Sequence, residues 1–230
     1  MPNESFVDAE PYPWPYDGDL RPDNTALIVI DMQTDFCGVG GYVDKMGYDL
    51  ALTRAPIEPI KRLMARLRTL ASTSSTPAKP PPRPRRPAGQ QALALAPCRH
   101  RRRGHRRRRP LRPHPGARRA GLGNHPRAGT TARRAGDRQA RQGSFYATDL
   151  DMLLRVRGIR NLLLAGITTD VCVHTTMRDA NDRGYECLLL SDCTAATDPS
   201  NHLAALHMVK MQGGVFGAVA SSTAVLETLA

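Results

Sequence analysis

The run Asn161-Leu-Leu-Leu-Ala-Gly166 constrains the fold of this 230-residue chain more than any other stretch. Leu162 to Ala165 leave no polar face, so the segment reads as a strand covered on both sides, as in parallel sheets flanked by helices. Gly166 to Asp170 then supply turn and capping residues, and a helix is predicted to begin near Cys172. A thiol at such a junction meets unpaired backbone N–H groups and the positive end of a helix dipole. Both favour ionisation below the free-cysteine pKa of about 8.5. The same N–H groups can hold a developing oxyanion. A small buried cysteine that only fills core space is the competing reading, and this segment alone leaves both open.

A second apolar run, Thr25 to Ile30, ends on Asp31 and continues as Met32-Gln-Thr-Asp35-Phe36. It delivers a carboxylate at the C-terminal end of a strand, the edge where open α/β sheets bind ligands. Asp31 is therefore a candidate proton acceptor for Cys172, with an ordinary helix cap or turn former as the alternative. Asp35 reads as solvated or capping.

Elsewhere the pattern alternates. Ala55 to Leu70 is predicted as an amphipathic helix with Ile57, Ile60, Leu63, Met64 and Leu67 on one side and Pro59 in its first turn. Thr148 to Val156 and Val173 to Arg183 read as helices, Glu186 to Leu190 as a buried strand, and His202 to Met211 as a helix. Val215-Phe216 reads as a short strand and Ser222 to Leu229 as a closing helix. Strand and helix in alternation predict a single three-layer α/β/α domain with a mainly parallel sheet and right-handed crossovers.

Average charge misleads. A net +12 from 33 basic and 21 acidic side chains suggests an anionic partner at face value. Residues 71–142, however, hold 20 of the basic residues and one acid, Asp137, which leaves 13 basic against 20 acidic residues elsewhere. The chain is a mildly acidic globular protein interrupted by a basic insert. Within that insert Leu93, Leu95, Leu111 and Leu122 are the only large apolar residues, several prolines break any ladder, and Arg101 to Arg103 and Arg106 to Arg109 repel one another. It cannot offset ordering costs of about 1–2 kcal/mol per residue, so disorder is expected.

Three readings of the insert compete. An arginine-rich arm would bind nucleic acid, but no aromatic residue is interleaved for base stacking. A solvated linker is the second reading. Translation out of frame is the third and accounts for the composition best, since Arg, Pro, Ala and Gly are what GC-rich codons yield in a wrong frame. Synonymous codons for Thr73 to Lys79, read two bases later, spell the strand-like Val-Ile-His-Thr-Arg-Glu.

Three blocks in order, Asp31-Met-Gln-Thr-Asp35-Phe36, Gly143-Ser-Phe145 with Thr148-Asp-Leu150, and Gly166-Ile-Thr-Thr-Asp-Val-Cys172, resemble the isochorismatase-like cysteine hydrolases. The flanks, among them Pro11-Tyr-Pro-Trp14-Pro-Tyr16 and Val209-Lys-Met-Gln-Gly-Gly-Val-Phe-Gly217, are most similar to the biuret amidohydrolases within that family. The resemblance covers residues 1–70 and 143–230. It implies Cys172 as nucleophile, Asp31 as acceptor of its proton, an oxyanion hole from the backbone N–H groups of Thr168 and Cys172, and a cis peptide at Ile167–Thr168. It implies no cofactor and no metal. It also offers Gln212 as an amide donor to a urea-type carbonyl and Phe36 as a pocket wall, each with a core or cap reading beside it.

One family residue has no counterpart. The third member of the family's triad is a lysine six residues before the block's phenylalanine, and Gln139 stands there in this chain, while Lys45, Lys61, Lys79 and Lys210 lie elsewhere. Without an ammonium, the carboxylate and a thiolate repel, so Cys172 is expected to stay more protonated than in an intact enzyme. His174, two residues beyond Cys172, falls nearly on the opposite side of a helix and reads as a partly exposed polar residue rather than a base. Cys37, Cys187 and Cys193 show no metal-ligand spacing and read as reduced structural thiols, and Cys98 lies in the insert.

The resemblance thus implies an amidohydrolase on a linear C–N bond. Biuret to allophanate and ammonia is the leading reaction, and a ureidoacrylate or carbamoyl-amide hydrolase is the alternative. From another class, the alternative is an Arg-rich nucleic-acid-binding protein on an inactive scaffold. The resemblance also implies a homo-oligomer, tetrameric in the biuret enzymes. With no apolar run near the roughly 20 residues that span a bilayer and no signal-peptide pattern, no membrane partner and a cytoplasmic placement are expected. Because the insert occupies the place of a βαβ repeat, at least one strand is expected to be absent, leaving an exposed sheet edge.

Overall fold

Period-two alternation in the apolar runs sorts their side chains to opposite faces of one sheet. The computed structural model describes residues 4–73 and 142–229, with side chains from residue 71 to 73 left aside. Strand β1 (Thr25–Ile30) is followed by three short helices, α1 (Thr34–Cys37), α2 (Tyr42–Lys45) and α3 (Leu50–Arg54), and by the long α4 (Ile57–Thr73). The second span holds α5 (Leu150–Val156), β2 (Asn161–Ile167), a π-helical turn (Thr169–Val173), α6 (His174–Asp182) and β3 (Glu186–Ala195). It closes with α7 (Pro199–Lys210), β4 (Ala218–Ala220) and α8 (Ser222–Thr228). The four strands lie in the order β1-β2-β3-β4, and every neighbouring pair is parallel.

All seven residues of β2 are buried, and they feed two cores. Leu162 and Leu164 join Val173, Met177 and Val209 beneath α6 and α7, whereas Leu163 and Ala165 join Ile60, Leu63 and Val225 beneath α4 and α8. Each fully buried Leu contributes about 1.5–3 kcal/mol, so the central strand fixes the three-layer α/β/α arrangement. Beside β4 the N-terminal arm covers the sheet: Glu10 and Val219 exchange backbone hydrogen bonds of 2.9 and 2.7 Å, and a bridge to Val7 holds the fully buried Trp14. At the opposite side, no described strand pairs with the outer edge of β1, whose residues Thr25 to Val29 are only half-buried.

Two sequence expectations shift. The helix expected over Ala55 to Leu70 is the latter part of a pair, α3 and α4, parted at Ala55–Pro56, because Pro56 has no N–H to continue the first helix. Pro59 does fall in the first turn of α4. Val215-Phe216 is not a strand. Gly213, Gly214 and Gly217 all take positive φ, and Gly217 packs so close to the Cys187 carbonyl oxygen that a Cβ there would lie 2.1 Å away. Only after that close approach does Ala218 enter the ladder opposite Leu188. The segment Arg83 to Arg112, with the rest of residues 74–141, lies outside the described residues, and so does Gln139.

Candidate active site

Gly166 lets the tops of β1 and β2 meet. It faces Ile30 in register with φ +114, and a Cβ on it would lie 2.0 Å from the Ile30 carbonyl oxygen, an approach only glycine permits. Asp31 leaves β1 in the left-handed region, φ 50, where Asp is tolerated better than most residues. The Gln33 N–H donates to the Asp31 carbonyl at 2.8 Å and turns the chain into α1.

On the neighbouring strand the Ile167–Thr168 peptide is cis, as the resemblance implies. The Thr168 carbonyl accepts from the N–H groups of Val171 and Val173 at 3.2 and 3.1 Å. This winds Thr169 to Val173 into a π turn, so the α-helix begins at His174 and not at Cys172. Cys172 sits inside the turn, 7% exposed.

The structure brings Asp31 and Cys172 together. Burial pushes the Cys172 thiol up to about 12; the Asp31 carboxylate beside it adds to the rise by accepting from the thiol and by its charge. The charge of Asp170 acts in the same direction, while the Thr168 N–H, donating to the sulfur, opposes them. The expectation of a readily ionised thiol at a helix N-terminus therefore fails, since one N–H and a short turn do not offset lost water and a facing carboxylate. Among the described lysines, Lys61 pairs with Glu58 and Lys210 with Glu10, each at 2.7 Å, and Lys45 is exposed on α2.

The Gly143-Ser-Phe block braces this turn from behind. Ser144 donates its N–H to Thr176 Oγ1 at 3.1 Å, and Thr176 Oγ1 donates to the Cys172 carbonyl at 2.7 Å. Phe145 is buried, stacked on Tyr185 at 5.9 Å, with the Arg183 guanidinium 5.2 Å from its ring centroid. Asp170 is a residue that sequence reasoning treated only as a cap. Its Oδ2 accepts from Asn201 at 3.3 Å, its Oδ1 is buried without a described partner, and its charge reaches Cys172, His174 and His202. An acid set between the buried Thr169 and Cys172 in this turn is the signal that marks it. Next to it, Thr169 Oγ1 lies 2.8 Å from His202 Nδ1.

His174 departs from expectation: it is 6% exposed, because the π turn rotates it under Phe216. Arg178 Nε donates to its Nδ1 at 3.0 Å, and its Nε2 is buried without a described partner. Burial first, and Arg178 second, hold its pKa below the usual histidine range, while Asp170 opposes them.

Two hollows flank these elements. One, of about 360 Å³, is lined by Met32, Gln33, Thr34, Cys37 and Gly38, directly after Asp31 in the chain. Phe36 lies half-buried on the same short helix, with its carbonyl accepting from Thr53 Oγ1 at 2.9 Å. The other, of about 270 Å³, is lined by Arg178, Met208, Met211, Gln212, Val215 and Phe216; Cys172 is not among its walls. Cys37, Cys172, Cys187 and Cys193 are free thiols, and among the described residues no three His, Cys, Asp or Glu side chains are grouped to hold a metal. None of the described helices is long and apolar enough to cross a membrane.

Comparison with known proteins places these features in a family. The Isochorismatase domain matches residues 25–224. A ureidoacrylate amidohydrolase RutB of Methylorubrum extorquens is 34% identical over 196 residues, which cover 83% of this chain and 76% of that protein. The ureidoacrylate amidohydrolase RutB of Serratia proteamaculans is 32% identical over 183 residues, 78% of this chain and 73% of its own. Among solved structures, a cysteine hydrolase from Pseudomonas syringae superposes with a TM-score of 0.57 at 21% identity, over 99% of this chain and 98% of that one, a likeness of fold.

Proposed function

The chain belongs to the isochorismatase family of hydrolases, and on that premise we propose that it cleaves a linear C–N bond with Asp31, Cys172 and the backbone N–H groups of Thr168 and Cys172 as the reacting set. The observation that carries the reading is the Asp31 carboxylate facing the Cys172 thiol across two strand ends. Asp31 takes the S–H proton as the sulfur attacks the carbonyl carbon of an amide or ureido group. The oxygen becomes an anion toward the Thr168 and Cys172 N–H groups. Collapse of the tetrahedral intermediate breaks the C–N bond, and the leaving amine receives the proton from Asp31. Water then cleaves the acyl-sulfur bond, releasing the product acid and restoring the thiol.

Ureido acids are the favoured substrate class. This choice moves the emphasis from biuret, because the relatives at 34% and 32% identity are named ureidoacrylate amidohydrolases. Biuret, with the same urea carbonyl, is the second reading, favoured by the flanking sequence. Phe36 belongs to the proposal as a substrate wall; Gln212 belongs to the second hollow. Burial and the facing Asp31 carboxylate keep the thiol protonated at neutral pH, so transfer of its proton to Asp31 accompanies the attack.

Ammonia release from ureidoacrylate and from biuret, measured side by side, tests both parts. Ureidoacrylate should turn over faster than biuret, and Cys172→Ala should abolish both. Residual activity in Cys172→Ala equal to that of the parent chain would remove the sulfur from the mechanism.

A further inference from the structure

The second hollow is built for charge in a way the reacting set does not use. Arg178 is stacked on Phe216, with its guanidinium carbon 4.0 Å from the ring centroid, and its Nε is committed to His174 Nδ1 at 3.0 Å. The histidine doing the bracing is itself 6% exposed and set edge-on to Phe216 at 6.2 Å. An arginine held by stacking and by its Nε keeps its two terminal nitrogens as a planar, parallel pair of donors, the geometry that matches a carboxylate in bidentate fashion. No described carboxylate claims that pair: Asp179, next in sequence, is bound to Arg183 at 2.9 Å.

The rest of the hollow is of one kind. Met208, Met211, Val215 and Phe216 give apolar walls, and Gln212, in the left-handed region at φ 55, adds the other polar group. No acidic side chain lines it. A volume of about 270 Å³, just under the roughly 300–1,000 Å³ of drug-sized ligand pockets, suits a small molecule. We propose that this hollow is a binding site for a small aliphatic carboxylate, its two oxygens on the terminal nitrogens of Arg178 and its hydrocarbon part against Met208, Met211 and Val215. Cys172 is not among its walls, and ligand there needs no turnover.

The test uses the full chain carrying Cys172→Ala, so that binding is scored without catalysis and the hydrolase reading stands or falls on its own assay. Propionate, propionamide and inorganic phosphate are titrated by ligand-observed NMR. Propionate should bind saturably, and propionamide, lacking the charge, at least tenfold more weakly. Phosphate should also bind at least tenfold more weakly, since it cannot use the apolar walls. Arg178→Gln should cost propionate at least tenfold. Met211→Glu, at a half-exposed position that leaves Arg178 in place, should cost as much by setting a carboxylate in the hollow. Propionate binding that is unchanged in either variant, or matched by propionamide or phosphate, overturns the assignment.

Discussion

A thiol held near 12 and a thiol that must attack a carbonyl make opposite demands on one sulfur, and Asp31 takes part in both. As a fixed negative charge and acceptor it keeps the proton on Cys172; as a base it is the group that removes it. The two roles separate in Asp31→Asn. Losing the charge and the strong acceptor lowers the Cys172 pKa, so at a given pH more thiolate is present and alkylation by iodoacetamide should be several-fold faster. Hydrolysis of the ureido substrate should fall at least 100-fold in the same variant, because the proton acceptor is gone. In the parent the pH lies below the thiol pKa between 8 and 10, so its alkylation rate should climb about tenfold per pH unit, with the variant's curve above it. Peptide mass spectrometry counts Cys172 apart from Cys37, which is also partly accessible. Alkylation in Asp31→Asn that is no faster than in the parent would mean that Asp31 does not control this sulfur.

At the scale of elements, the site depends on how closely β1 approaches β2. Gly166→Ala sets a Cβ 2.0 Å from the Ile30 carbonyl oxygen at a φ of +114, so the strand tops must part. A loss of at least about 3 kcal/mol in urea denaturation is expected, with the Asp31 effect on Cys172 alkylation lost as well. Gly158→Ala is the control, also at positive φ, +69, but with open space around it, and should cost about 1 kcal/mol. Equal costs would show that conformational freedom, not the strand contact, is what Gly166 supplies. The same contact explains what the sequence made readable. Two apolar runs, one ending on Asp31 and the other leading into the turn that holds Cys172, were enough to offer Asp31 as a partner for Cys172, because parallel strands share one C-terminal edge. The width of the turn was not readable, since it depends on one carbonyl, that of Thr168, accepting from both Val171 and Val173. Nor was the protonation of Cys172, which follows from burial by residues distant in sequence. Val215-Phe216 has the composition of a strand, yet three glycines at positive φ move the ladder to Ala218. The burial of His174 was missed for a related reason, since a helix wheel begun at Cys172 assumes α geometry where the chain takes π.

For the molecule as a whole, buried thiols on both faces of the sheet tie stability to alkaline pH. Cys172 and Cys187 belong to the core under α6 and α7 and Cys193 to the core under α4 and α8; each is less than a tenth exposed. Burial is the first cause of a raised pKa at all three, with Cys172 and Cys193 pushed up to about 12 and Cys187 higher still. The unfolded thiols ionise near 9, whereas the folded ones resist ionisation until about 12 or beyond. Their contribution is therefore complete below pH 9 and is lost as pH rises from 9 toward 12, by about 1.4 kcal/mol per thiol for each pH unit in that window. Tyr185, raised to about 12 by burial and by its bond to Asp151, adds in the same direction above pH 10. Loss of positive charge does not obscure the effect, because 29 of the 33 basic residues are arginines and only four are lysines. Urea midpoints taken from pH 8 to 10.5 should be flat up to about 9 and then fall. Cys193→Ala should lower the starting stability slightly and make the fall shallower by roughly one thiol's share, since the slope counts ionising groups while the intercept counts packing. A profile that stays flat to pH 10.5, or a slope unchanged by Cys193→Ala, would mean that water reaches these thiols and that the two cores are not closed around them.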